Sequence, residues 1–287
     1  MTSPAGRIAA AFTWACVAEL EAPKPGNVHV FADGHRMTTD QFVRSAEAAA
    51  VPLSAPGSRV GARILDAVEA TLAAVGANTN LGIVLLCAPL AAAADAESSE
   101  LRAALANVLK ALDIGDADLA FRAIVRAAPA GLAHSARHDV FEPASVTLLA
   151  AMTEAADRDR IARQYAGNFA DVFELGLPLL AAALRQYADP KWATVAAYLG
   201  FLAAFPDSHI SRKHGAQTAE EVRRQAATLQ ASWRSAGHPD RLLPELMAWD
   251  AALKADGVNP GTSADLTVAT LFAHRLQTTL PSVGNSG

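Results

Sequence analysis

Alanine and leucine recur at helical spacing through almost the whole of this chain, and the β-branched runs that a sheet needs are few. Aromatic residues make up only 6%. Helices are the one element available in quantity, so the chain has to bury them against one another as an all-α, single-domain multi-helix bundle. The pattern predicts helices over 5–21, 39–51, 57–75, 80–94, 98–111, 116–128, 143–155, 158–187, 190–204, 217–235, 240–254 and 262–278. Pro23 and Pro25 stop the first of these. Asp116 is placed to cap the helix over 116–128. Asp157-Arg158-Asp159-Arg160 opens the long helix over 158–187 as a salt-bridged first turn. The expected domain runs from 1 to 280, with 281–287 as a frayed tail.

Composition narrows the functional classes. Of 287 residues, 52% are hydrophobic and 18% charged, enough to bury a sizeable core. The net charge is −5 and no stretch is rich in Lys or Arg, which argues against general nucleic-acid binding. Cys16 and Cys87 lie in apolar helical patterns and read as core residues of a reducing compartment. Glu19 and Glu21 close the apolar stretch that follows Arg7, so an amphipathic first helix is expected rather than a signal peptide. The run from Leu81 to Ala94 is too short to span a bilayer. The expectation is a soluble, cytoplasmic protein with no membrane partner, its apolar content compatible with a homodimer.

Three polar clusters punctuate the helices: Pro23-Lys24-Pro25-Gly26-Asn27-Val28-His29, Gly76-Ala77-Asn78-Thr79-Asn80-Leu81-Gly82 and Asn259-Pro260-Gly261-Thr262-Ser263-Ala264-Asp265. Each lies where a helix begins or ends, and helix N-termini offer free N–H groups and a positive dipole end to anions. Lys24 sits between two prolines that would hold the loop stiffly, with Asn27 and His29 at alternate positions of an extended segment. Capping accounts for one of Asn78, Thr79 and Asn80 but not for all three. Asp265 would place a carboxylate in the first turn of the last helix, either to hold Mg²⁺ or to complement the helix dipole. Two further clusters are dense in ionisable groups: His134, Arg137, His138, Asp139 and Glu142, and Asp207, His209, Arg212, Lys213 and His214. Zinc, dinucleotide and serine-hydrolase signatures are absent from the sequence. Together the clusters point to one shared polyphosphate pocket.

The order Pro23-Lys24-Pro25-Gly26, Asn78-Thr79-x-x-Gly82, Asp207-Ser208-His209-Ile210-Ser211-Arg212-Lys213-His214-Gly215 and Pro260-Gly261-Thr262-Ser263-Ala264-Asp265-Leu266 resembles the triphosphoribosyl-dephospho-CoA synthases. These make the prosthetic-group precursor of citrate lyase and malonate decarboxylase. The resemblance runs over roughly residues 5 to 280 and implies an all-α fold. It also implies a reaction in which a ribose hydroxyl of 3′-dephospho-CoA attacks C1′ of ATP and adenine leaves. Where those synthases show Asn-Thr-His-Lys-Gly, this chain has Asn80 and Leu81 in place of the imidazole and the cation. Thr262 stands for the second glycine of their Pro-Gly-Gly-Ser-Ala-Asp-Leu, and His138 to Pro143 replaces a glycine- and arginine-rich segment. The Asn-Thr-Asn-Leu-Gly form resembles a divergent branch from lineages that use tetrahydromethanopterin, a coenzyme that also carries a ribose phosphate.

Substitution at C1′ passes through an oxocarbenium-like state, so the pocket must bind phosphates, face a developing cation, activate a hydroxyl and assist the leaving group. The residues expected to bind substrate and phosphate are Lys24, Gly26, Asn27, Asn78, Thr79, Asn80, Arg212, Lys213, Gly261, Thr262 and Ser263. Asp207 and Asp265 are expected to hold Mg²⁺ or face the cation. Asp139 or Glu142 is the expected general base, and His209 or His29 the acid for a leaving adenine. ATP or phosphoribosyl pyrophosphate is the expected donor. A ribosyl hydrolase and a nucleotide-binding helical scaffold with an eroded site are the competing readings.

Overall fold

The computed structural model describes residues 3–32, 37–96, 100–129, 138–235 and 238–279, and among these there is no β-strand. The α-helices are α1 (Pro4–Leu20), α2 (Thr39–Leu53), α3 (Val60–Val75), α4 (Leu81–Asp95), α5 (Leu101–Ala111), α6 (Ile114–Ala127), α7 (Leu148–Ala155), α8 (Arg160–Ala166), α9 (Leu177–Gln186), α10 (Lys191–Ala204), α11 (Ser208–His214), α12 (Ala216–Ser235), α13 (Leu243–Ala255) and α14 (Gly261–Thr279). The fold class is the all-α one that the spacing predicts. The expected tail, and His134 and Arg137 with it, lie outside the described residues.

Two helices are buried almost all round. α4 is apolar on every face and packs against α1, α2, α3, α5, α8 and α14. α14 packs against α1, α4, α5 and α8 to α11, with Leu266 to Ala273 buried throughout. The larger core surrounds these two helices; Leu86 at its centre is fully buried, and truncating a side chain so placed costs about 2–5 kcal/mol. A smaller core forms between α10, α12 and α13, where the Trp192 and Trp233 rings meet edge-on at 5.4 Å. No single helix among the described residues is long and apolar enough to cross a membrane.

Two local expectations are corrected, and one helix is added. Asp113, not Asp116, caps α6: Asp113 accepts from the Asp116 N–H at 2.9 Å, while Asp116 returns a bond to the Asp113 N–H at 3.2 Å. That reciprocal box starts the helix at Ile114. The long helix over 158–187 is broken. Gly167 ends α8, Asn168 and Phe169 take left-handed φ of 48° and 54°, and the chain bends by 97° into a π-helical turn, Asp171–Gly176, before α9. Burial of Phe169 and Tyr165 offsets the strain, and Asp171 grips Arg160 at 2.7 and 2.8 Å across the bend. The charge burst after Phe205, outside the predicted helices, falls on a further short helix, α11, capped by Asp207.

Candidate active site

The four sequence motifs meet at the first turn of α14. The loop after α1 reaches it through Gly26, whose φ of +81° suits glycine and where a Cβ would lie 2.8 Å from the Pro260 ring. Asn27 next to it donates to Asn259 Oδ1 at 2.8 Å. α11 reaches α14 through Asp207: its Oδ1 caps α11 by accepting from the His209 and Ile210 N–H groups, and its Oδ2 accepts from the Ser263 N–H and Oγ, both at 2.8 Å. Ser208 and Thr262 hydroxyls pair at 3.0 Å. α4 reaches it through Gly82, which lies directly against the Asp265 carboxylate; a Cβ there would be 2.6 Å from Asp265 Cγ. Residues more than two hundred positions apart are thereby fastened around one turn of helix.

They enclose a cavity of about 830 Å³. Its polar wall carries Glu19, Asn27, Asn78, Thr79, Asn80, Arg158, Asp159, His209, Arg212, Lys213, Asn259, Gly261, Thr262 and Asp265. The rest of the lining, from α2, α6 and α7 with the segments beside them, brings Met37, Phe42, Phe121, Ile124, Val140 and Met152, together with His138, Asp139 and Glu154. A concave space of mixed lining with convergent charges is the usual form of a small-molecule site.

Asp265 is a cavity carboxylate with no hydrogen-bond or ion-pair partner among the described residues. Burial pushes its pKa well above the ordinary carboxylate range; Asp207, Glu19 and Asp159 push the same way and Arg212 opposes them. Glu19 is also raised by burial, against the pull of Lys24. Asn78 Oδ1 accepts from the Leu81 N–H at 3.1 Å and so caps α4, while Thr79 bonds Ser45 and Asn80 bonds Thr71 at 3.0 Å. Arg212 donates to Asp159 at 3.2 Å, and Asp159 also caps α8.

Other expected site residues lie off the cavity wall. The Lys24 ammonium is fully buried on Glu19, Asn27 Oδ1 at 3.1 Å and the Val28 carbonyl at 2.9 Å, so all three of its protons are committed within the loop. Burial pulls its pKa down, with Glu19 opposing. Gly26 and Ser263 are fasteners, as is Asp207, whose pKa burial raises against its four bonds. His29 is buried with Nε2 3.3 Å from Asp250 Oδ1, its pKa lowered by burial against that carboxylate. Glu142 is exposed, whereas Asp139 lines the cavity and accepts from the Phe141 N–H at 3.1 Å. No group of three His, Cys, Asp or Glu side chains among the described residues is disposed to hold a metal ion.

Sequence reasoning passed over Glu19, Glu154, Arg158 and Asp159, all on the wall. Glu19 carried a signal: a carboxylate five residues before a proline-flanked lysine is positioned to pair with it. Arg158 and Asp159 carried none that distinguishes them from an ordinary helix start.

The fold and the site have counterparts. A crystal structure assigned to triphosphoribosyl-dephospho-CoA synthase from Archaeoglobus fulgidus is 26% identical in sequence and superposes with a TM-score of 0.65, covering 83% of this chain and 99% of that one. Among curated proteins no sequence matches. Residues 5–283, which contain all four motifs, match the family of ATP:dephospho-CoA triphosphoribosyl transferases. The chain therefore belongs to that family of transferases.

Proposed function

We propose that this transferase moves a triphosphoribosyl group from ATP to a hydroxyl of a coenzyme precursor, 3′-dephospho-CoA being the acceptor that the family implies. The observation that carries the proposal is Asp265, an unpartnered carboxylate wedged against Gly82 on a wall that also bears Arg158, Arg212 and Lys213. The cations meet phosphates, and the carboxylate faces the positive charge that develops at C1′. The bond from C1′ to the acceptor oxygen forms as the bond from C1′ to adenine breaks. The hydroxyl proton passes to Asp139, another carboxylate of the lining, and His209 returns a proton to the departing base. Lys24 acts at one remove: it holds Glu19 and the Pro25–Val28 loop in place. Magnesium, if it enters with the donor, takes most of its oxygens from the phosphates and one from Asp265, since Asp207 has both oxygens committed.

A second acceptor is favoured by one local fact. At the start of α4, Asn80 and Leu81 both line the cavity, Asn80 with its amide bonded to Thr71, so this stretch of wall is neutral. A less anionic acceptor suits it, such as a tetrahydromethanopterin precursor taking its ribosyl phosphate from phosphoribosyl pyrophosphate.

Mass spectrometry of the purified protein with ATP, Mg²⁺ and 3′-dephospho-CoA tests the first reading. Adenine and a triphosphoribosyl adduct are the expected products. Turnover with phosphoribosyl pyrophosphate and a pterin alcohol alone would replace it with the second, and adenine or ribose phosphate without any acceptor would mark a hydrolase.

A further inference from the structure

A second cleft of about 620 Å³ lies behind the polar wall of the first, with Arg158, Asp159 and Arg212 as the partition common to both. Arg160 and Arg163 from α8 line it, over a floor that includes Phe205. The arginines are not equivalent. Arg160 is pinned: it makes two bonds to Asp171 at 2.7 and 2.8 Å and lies 3.8 Å above the Phe205 ring. Arg163, one turn further along α8, is exposed and has no acceptor among the described residues. Its Cβ tilts back toward the helix start, which carries the guanidinium over the cleft. Against the four arginines stand Asp157 and Asp159 on the lining, and Asp171 behind Arg160. The cleft keeps net positive charge in a protein whose net charge is −5.

The partition is separable. Arg212 meets Asp159 through one contact of 3.2 Å, with side chains 35% and 29% exposed, a geometry that contributes little. Asp159 keeps its capping bonds to Ile161 and Ala162 when Arg212 leaves. A ligand phosphate between the two clefts would exchange the Asp159 contact for a charge-assisted bond to the guanidinium.

We infer that the arginine cleft binds a polyphosphate chain, and that it receives the distal phosphates of the donor whose ribose lies beside Asp265. The assignment rests on the nucleotide-donor reading above. It makes Arg163 and Arg158 determinants of donor binding, and it separates the phosphate subsite from the base and ribose subsite.

The test is calorimetric titration of the full-length protein with inorganic tripolyphosphate, ATP and adenosine, in wild type and in Arg163→Glu, Arg163→Lys and Arg158→Glu. Arg163→Glu is expected to weaken tripolyphosphate and ATP tenfold or more, to leave adenosine unchanged, and to be largely restored in Arg163→Lys. In turnover the same variant should raise KM for ATP with little change in kcat. Unchanged tripolyphosphate affinity in both glutamate variants would overturn the site. Weakened tripolyphosphate with unchanged ATP, the two binding together, would make it a site for free polyphosphate and overturn its link to the donor. A wild type that binds tripolyphosphate in this cleft but neither ATP nor adenosine would sink the donor reading itself.

Discussion

Gly82→Ala reads the proposed chemistry most sharply, because the structure fixes what the added methyl meets. The new Cβ would lie 2.6 Å from Asp265 Cγ and 2.9 Å from Ile161 Cδ1, against an ordinary contact that begins at 3.4 Å. Asp265 Oδ2 lies closer still, so the carboxylate must retreat by more than about 0.8 Å, either by rotating its side chain or by parting α4 from α14. Overpacking of this kind costs about 1–3 kcal/mol. Replacing glycine by alanine inside a helix returns up to about 1 kcal/mol, so the protein should remain folded with a melting temperature a few degrees lower at most. Turnover is the sensitive quantity: displacement of a charge by roughly 1 Å at the reacting centre is worth on the order of a hundredfold in rate. The assay is adenine release under saturating ATP, run alongside Asp265→Asn and the double variant. If Gly82 acts only by making room for Asp265, the double variant should be no slower than Asp265→Asn alone. A Gly82→Ala enzyme with normal turnover, or a double variant slower than either single one by the product of their effects, refutes the reasoning.

Lys24→Met should destabilise the fold by about 3–5 kcal/mol, because Glu19 is left buried without its cation; adding Glu19→Gln should recover part of the loss in urea melts. Equal midpoints for wild type and Lys24→Met would remove the loop-holding role. Asp139→Asn should slow transfer by about 10² to 10⁴, while Glu142→Gln, on the surface, should leave it unchanged; the reverse result would exchange the two residues. Asp265→Asn is expected to slow transfer by about 10² to 10³ while raising the melting temperature at neutral pH. The folded-state pKa of Asp265 lies above its unfolded value, so the wild-type group stabilises below about pH 4 and that contribution is lost as pH rises through the folded pKa. The gap in melting temperature between Asn and wild type should accordingly widen from pH 5 to pH 8; a constant gap would contradict the burial argument.

The fold class and most helix positions follow from apolar spacing because packing here largely obeys the spacing: α4, the most uniformly apolar segment, is buried at the centre, and α14 joins it there although its buried face includes Thr262, Ser263, Thr267 and Thr270. The break at Gly167–Phe169 was hidden because the apolar rhythm continues through it, and only the burial of Tyr165 and Phe169 makes a left-handed step worthwhile. In the site, short-range chemistry was legible and long-range pairing was not. The Asn78 bond to the Leu81 N–H at the start of α4 is such a local act. Lys24 reads as a cation aimed outward because a sequence shows its prolines but not that Glu19, Asn27 and the Val28 carbonyl consume all three of its protons. The four motifs could be read as belonging together, yet the reason for each glycine and serine among them is a contact with another motif, as Gly82 with Asp265 or Ser263 with Asp207.

Three carboxyl groups around the start of α14, the buried Glu19 and Asp207 and the half-buried Asp265, all have raised pKa values, and their different surroundings assign them different work. Asp207 accepts four N–H and O–H bonds that tie α11 to α14, and Glu19 has the Lys24 ammonium. Removing either carboxylate strands its donors, so each is retained on structural grounds alone. Asp265 has no such partner, and the repulsion from the other two falls on it. A folded protein has no structural reason to hold a carboxyl group in that position, and alanine or asparagine would be more comfortable there. The cost is recovered only when positive charge arrives in the cavity, as it does at C1′ during the transfer of a ribosyl group. Site and scaffold can thus be separated by the sign of the stability change: loss at Asp207 and Glu19, gain at Asp265, with turnover falling in all three.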